Sequence, residues 1–133
     1  MSRENVELAR SGIEALDRHD FEAFAEGMDP LIEWNDQREL PGAASHHGVE
    51  AVLRHLRATF GDWADFRVEA QQFVEAGNHV VVTTRVSAKG QASGAPVERV
   101  TFGVGEYRAG RLVRMSIYGT KAEALRAVGL EDG

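Results

Sequence analysis

The sequence predicts an α+β domain in which helices cover one side of a curved, mostly antiparallel sheet. Up to about residue 60 most apolar residues recur at helical intervals, and from residue 66 onward they alternate with polar residues, as in strands. Turn-forming residues separate these later strands, which favours an antiparallel meander. The length of 133 residues suits one hydrophobic core, so we expect a single domain over residues 1–133.

Two helices are predicted at the start of the chain. The first, of about 16 residues, follows from four apolar residues with helical spacing: Val6, Ala9, Ile13 and Leu16. Asp20 is placed to cap the second helix, and Pro30 is placed to stop it. The second helix has its own apolar set: Phe21, Phe24, Ala25 and Met28.

A short strand, a loop and a third helix are predicted next. Residues 31–36 alternate, with Ile32, Trp34 and Asp36 on one side of the strand. Residues 37–48 are predicted as a loop. Residues 49–60 are predicted to form the third helix, since Val52, Leu56 and further apolar residues make one face.

Four long strands and a final helix complete the prediction. The strands cover residues 66–75, 79–88, 97–107 and 111–118, with a bulge near Phe73 and a hairpin loop at 89–96. The capping-box spacing of Thr120 and Glu123 predicts a short last helix that ends near Gly129.

The two-residue turn Ala109–Gly110 sets the predicted pairing of the last two strands, with Val104 opposite Met115. This register gives an apolar face that the helices are expected to cover: Glu98, Val100, Phe102, Val104, Glu106, Val113, Met115 and Ile117. The opposite face is expected to meet solvent or a second subunit: Arg99, Thr101, Gly103, Gly105, Tyr107, Leu112, Arg114, Ser116 and Tyr118. Gly103 and Gly105 on this face are expected to mark either a bend in the strand or a contact with a second subunit.

Composition excludes several classes of function. The chain has 15 Lys+Arg and 21 Asp+Glu, and the net charge of -6 argues against binding nucleic acid. The absence of cysteine excludes disulfides and thiolate chemistry. The start of the sequence has no apolar signal segment, and the chain has no apolar run of about 18 residues, so we expect a cytoplasmic protein without a membrane partner. The five histidines lack metal-ligand spacing and no nucleotide loop occurs, so neither a metal nor a cofactor is expected.

Four segments are similar to a known family. They are DFEAF at 20–24, DPLIEW at 29–34, GRLVRM at 110–115 and KAEAL at 121–125. Through them the chain resembles the SnoaL-like polyketide cyclase group of the nuclear transport factor 2 (NTF2-like) superfamily. The resemblance implies a cone-shaped fold whose concave sheet face and helices enclose a pocket.

The resemblance also implies where catalytic groups would stand. Ketosteroid isomerases of this fold carry acids at positions that match Trp34 and Phe102, and a tyrosine at the position that matches Gly12. Epoxide hydrolases of this fold carry an aspartate at the position that matches Ile117. None of these groups is present in this chain, which argues against both specific chemistries.

Asp36 is the best remaining candidate for a catalytic base, because it shares the strand side of Trp34. The alternative is a turn or cap aspartate at a strand end. The residues expected to bind a ligand are Trp34, Phe102, Met115, Ile117, Phe24 and Met28.

Arg85 and His47 are less favoured candidates for the pocket. Hydrophobicity points Arg85 outward, and a one-residue slip in register would turn it into the pocket. Either His46 or His47 is a candidate for the pocket rim.

We therefore expect a domain that binds a small hydrophobic ring compound, polyketide- or steroid-like, and acts on it as a cofactor-independent cyclase or isomerase. The alternative is a non-catalytic ligand carrier or a dimeric association module. A homodimer formed through the exposed sheet face is expected in either case.

Overall fold

The computed structural model describes residues 2–36, 45–60, 63–90 and 96–130, so most of the two predicted loops, at 37–44 and 91–95, lies outside the described residues. The described residues form four helices and six strands. In chain order these are α1 (Ser2–Asp17), α2 (Phe21–Glu26), β1 (Met28–Asp36), β2 (Ser45–His47), α3 (Val49–Phe60), β3 (Trp63–Ala76), β4 (His79–Gly90), β5 (Pro96–Arg108), β6 (Arg111–Tyr118) and α4 (Lys121–Ala127).

The six strands form one open sheet in the order β2-β1-β6-β5-β4-β3. β1 runs parallel to β6, and every other neighbouring pair is antiparallel. The predicted α+β class with a mostly antiparallel sheet is therefore confirmed. The strand β2 was not predicted, because three residues are too few to show an alternating pattern. None of the described helices has the length and apolar character needed to cross a membrane.

Both predicted helix caps are present. The Asp20 side chain accepts a hydrogen bond from the Ala23 N–H at 3.0 Å, at the start of α2. Thr120 Oγ1 accepts a hydrogen bond from the Glu123 N–H at 3.2 Å, at the start of α4. These bonds satisfy amide groups that have no partner within the first helical turn.

The second helix ends earlier than predicted. Gly27 is its C-cap, and Met28 already belongs to β1, where it pairs with Leu112 of β6. The Leu112 N–H also donates to the Gly27 carbonyl at 2.9 Å. Pairing with β6 therefore ends the helix before Pro30 is reached.

A β-bulge changes the predicted register of the last hairpin. Arg108 pairs with Arg111 as predicted, and Ala109 and Gly110 both have positive φ, as a tight hairpin turn requires. The register then shifts by one residue between Glu106 and Tyr107. Val104 consequently lies opposite Ser116, and the prediction that it faces Met115 was wrong.

The bulge reverses the two predicted faces of β5. We call the side of the sheet packed against α1, α2 and α3 the cavity face, which carries Val80, Val82, Thr84, Val86, Arg99, Thr101, Gly103, Gly105, Met115 and Ile117. We call the other side the outer face, which carries Arg85, Glu98, Val100, Phe102, Val104, Glu106, Arg114 and Tyr118. On the outer face α4 covers a separate hydrophobic cluster formed by Val81, Val104, Ala124 and Leu125.

Candidate functional site

A cavity of about 420 Å³ lies between the cavity face and the helices α1, α2 and α3. This volume is within the range of small-molecule sites. Most of its wall is apolar, formed by side chains that include Leu8, Ile13, Leu16, Phe24, Trp34, Leu56, Met115 and Ile117.

Trp34 provides a large aromatic part of the wall. It is buried, and β1 places it beside Met115 of β6. The ring of Phe24 from α2 meets it edge-on, with ring centroids 6.0 Å apart. The structure places these three residues together in the cavity wall, and the aromatic contact holds the Trp34 ring in position.

Asp36 lies at the end of β1 and lines the same cavity. It is two residues after Trp34 and therefore on the same strand side, as the alternation predicted. Only 6% of the residue is exposed, and its Cα is paired with that of Ile117. A carboxylate is thus held at the wall of a mostly apolar cavity, where desolvation increases the strength of its interactions.

His55 is a cavity residue that the sequence analysis missed. It lies on α3 and lines the cavity together with Leu56 and Thr59. Its ring stacks on that of His46, with centroids 4.1 Å apart, and His46 is paired with Trp34. The imidazole therefore lies near the end of β1 that carries Asp36. The available signal was its position next to Leu56, at the border of the apolar helix face.

Other polar groups complete the cavity wall. Thr84 and Thr101 face each other across β4 and β5, and Arg99 follows on the same face. Asp36, His55 and Arg99 are each engaged in interactions within the chain. Tyr107 lines the cavity further along β5, and burial raises its pKa to about 12.

Gly103 and Gly105 lie on the cavity face, so the prediction that they belong to the exposed sheet face was wrong. A Cβ atom on Gly103 would come within 3.2 Å of Met115 Sδ. A Cβ atom on Gly105 would come within 3.0 Å of Tyr107 Cε2. The glycines are explained by the close approach of these two side chains.

Four of the predicted binding residues lie elsewhere. Phe102 is on the outer face near α4, because of the bulge. Met28 is buried in the core at the start of β1 and does not line the cavity. Arg85 points outward, where it forms an ion pair with Glu98, so the outward alternative is correct.

His47 is also turned away from the cavity. Its side chain is 69% exposed and lies 3.9 Å from Glu33 on the side of β1 opposite to Trp34. Asn35 donates a hydrogen bond to Glu33 at 2.7 Å, and this bond, with smaller contributions from Arg114 and His47, lowers the pKa of Glu33. Glu33 and His47 therefore belong to an exposed ionic group outside the site.

The described residues include no group of three or more His, Asp or Glu side chains arranged to hold a metal ion. The chemistry that the cavity groups themselves offer is proton transfer between Asp36, His55 and a bound molecule.

Solved structures of similar fold cover nearly the whole chain. An NTF2-like protein of unknown function from Burkholderia pseudomallei is 21% identical, with 95% of this chain and 98% of that chain covered and a TM-score of 0.75. TerC, co-crystallised with polyporic acid, is 19% identical, with 94% and 97% covered and a TM-score of 0.75. A protein with a ketosteroid isomerase-like fold from Catenulispora acidiphila, in complex with trimethylamine, is 15% identical, with 93% of each chain covered and a TM-score of 0.74. At these identities the similarity shows the fold.

Comparison with curated proteins finds no match. The SnoaL-like domain, in contrast, matches residues 9–115, a segment that runs from α1 to β6 and includes the described parts of the cavity wall except Leu8 and Ile117. The chain therefore belongs to the SnoaL-like domain family and has the NTF2-like fold.

Proposed function

We propose that this protein binds a small hydrophobic, cyclic molecule, polyketide- or steroid-like, in the cavity and isomerises or cyclises it without a cofactor. The observation that carries the proposal is the buried carboxylate of Asp36 at the wall of an apolar cavity of about 420 Å³. TerC, which has the same fold, was co-crystallised with polyporic acid, and this supports a small-molecule ligand.

Asp36 acts as the general base in this proposal. Its carboxylate removes a proton from a carbon next to a carbonyl group of the ligand, and the electron pair moves to the carbonyl oxygen to give an enolate. The protonated Asp36 then returns the proton to another carbon, so no atom is gained or lost. His55, Thr84 and Thr101 are cavity residues from which the enolate oxygen can accept a hydrogen bond.

Proton exchange tests the proposal without knowledge of the natural substrate. Indanone and tetralone, two bicyclic ketones, are incubated with the protein in D₂O, and deuterium uptake next to the carbonyl is followed by NMR. We expect the wild-type protein to accelerate the uptake and Asp36→Asn to lower the acceleration by about 10²–10⁴-fold, the usual contribution of a general base.

Glu33→Gln is the matched control, because Glu33 lies on the same strand and points to the outer face. It should exchange the ketones as fast as wild type. Equal rates in wild type and Asp36→Asn would contradict the role of Asp36.

A ligand carrier is the second candidate, favoured by the mostly apolar wall around Trp34 and Met115. A carrier would not accelerate deuterium uptake, while a bound ring compound would still raise the melting temperature of the protein by mass action.

A further inference from the structure

Tyr107 is a buried polar residue for which the proposed reaction has no use. It pairs with Leu112 of β6, next to the bulge at Val113, and lines the cavity, as Gly110 also does. Only 6% of the residue is exposed. Its ring approaches the same side of Gly105 as the Leu112 side chain, and Tyr107 also borders a polar surface pocket next to the hairpin turn.

The hydroxyl group of Tyr107 lies over the cavity face. A Cβ atom on Gly105 would be 3.2 Å from Tyr107 Oη and 3.0 Å from Cε2, so the ring folds back across Gly105. Gly105 is paired with Met115 on one side and Val80 on the other, and both of these side chains line the cavity. The missing side chain of Gly105 therefore provides the space in which the phenol lies.

No hydrogen bond to this hydroxyl group occurs among the described residues, and its oxygen is not fully enclosed by them, so it opens onto space that a ligand atom can reach. Burial raises the pKa of Tyr107 to about 12, so the phenol keeps its proton at any ordinary pH. A ligand oxygen that reaches this opening would accept a hydrogen bond from the hydroxyl group.

The position of Tyr107 relative to Asp36 follows from the sheet. Asp36 is paired with Ile117, and Ile117 is paired with Gly103. Gly105 is therefore two residues along and two strands across from Asp36, a separation of roughly 12 Å with ordinary strand spacings.

We propose that Tyr107 donates a hydrogen bond to an acceptor oxygen of the ligand, at the end of the molecule remote from Asp36. The inference rests on the proposed binding of a ring compound and narrows its class. The ligand is an extended ring compound with a carbonyl or similar oxygen at the end opposite to the reacting one. Tyr107 then determines specificity and orientation, and Asp36 carries out the proton transfer.

Fluorenone and fluorene test this role, because the two tricyclic compounds have nearly the same shape and differ in one carbonyl oxygen. Their affinities for wild type and Tyr107→Phe are measured by isothermal titration calorimetry. We expect wild type to prefer fluorenone by about twofold to tenfold, the value of one neutral hydrogen bond. Tyr107→Phe should lose this preference and still bind fluorene as wild type does.

Tyr118→Phe is the matched control, since Tyr118 is the other tyrosine of the chain and packs near α4 on the outer face. It should keep the preference for fluorenone. The melting temperature of Tyr107→Phe should equal or exceed that of wild type, because the hydroxyl group holds no structural hydrogen bond.

Three outcomes would overturn the inference. A preference for fluorenone that persists in Tyr107→Phe would remove the hydrogen-bonding role and leave ring binding intact. A fall of several degrees in the melting temperature of Tyr107→Phe would assign the hydroxyl to the fold. Failure of both compounds to bind wild type would overturn the ring-binding function on which the inference rests.

Discussion

Gly105 controls the shape of the cavity at the scale of a single residue. A Cβ atom on residue 105 would come within 3.0 Å of the Tyr107 ring and within 3.2 Å of the Leu112 side chain. At these distances an added methyl group would displace the Tyr107 ring from its packed position. The conformation of Tyr107 thus depends on a residue that has no side chain of its own.

We expect Gly105→Ala to lower the free energy of unfolding by about 1–3 kcal/mol, because the added methyl group overpacks this site. Urea denaturation followed by circular dichroism measures the change. Gly27→Ala is the control, since the nearest atom to its added Cβ would be the Phe24 carbonyl oxygen at 3.7 Å. The close-packing explanation fails if the two variants are equally stable.

Asp17 joins two elements, the end of α1 and the strand β3. Its carboxylate accepts hydrogen bonds from Arg67 Nε at 2.8 Å, from a terminal Arg67 nitrogen at 3.0 Å and from the Val68 N–H at 2.8 Å. The bond from Arg67 is the largest cause of a lowered pKa of Asp17, relative to its ordinary value of 3.8. This contact holds α1 over the cavity face.

We expect Asp17→Asn to lower the melting temperature by a few degrees at neutral pH, since the charged pair with Arg67 is lost. A lowered pKa in the folded protein stabilises it above the unfolded pKa of about 3.8, and this stabilisation is lost as the pH falls through the folded value. The difference between wild type and variant should therefore shrink in acid.

Glu7→Gln removes the partner of Arg10 in an exposed ion pair and should change little at either pH. A difference between wild type and Asp17→Asn that stays constant down to pH 2, well below the ordinary pKa of an aspartate, would show that its charge is not the cause.

The sequence predicts elements well where one local pattern decides them. The span of α3 and the shared side of Trp34 and Asp36 follow from periodicity alone, and both are confirmed. The predicted faces of β5 were wrong, because Val113 of β6 is an extra residue without a partner in β5. The prediction counted Val113 in the alternation of β6, and this placed Phe102 on the wrong face. His55 was missed because its exposure depends on the rotation of α3 against the sheet.

The whole molecule is organised around the centre of its sheet. The strands β6, β5 and β4 have neighbours on both sides, whereas the three-residue strand β2 is an edge. Val81 and Val104 are buried under α4 on one side, and Val80 and Val82 are buried behind the cavity on the other. Opening the centre of the sheet therefore requires most of the fold to open.

Hydrogen exchange measured by mass spectrometry should reflect this organisation. We expect the slowest backbone amides in β4 and the paired part of β5, near the free energy of global unfolding, and much faster exchange in β2. Peptides from β2 that exchange as slowly as those of β4 would contradict this order.

The hydrophobic cluster under α4 on the outer face affects how the protein tolerates amino-acid substitutions during evolution. Val81, Val104, Ala124 and Leu125 form a hydrophobic group separate from the one that surrounds the cavity. Substitutions in the wall of the cavity leave this second group intact, so its contribution to the free energy of unfolding is retained. The same framework can therefore accept new ligand preferences by a few substitutions around Trp34 or Tyr107 and still fold.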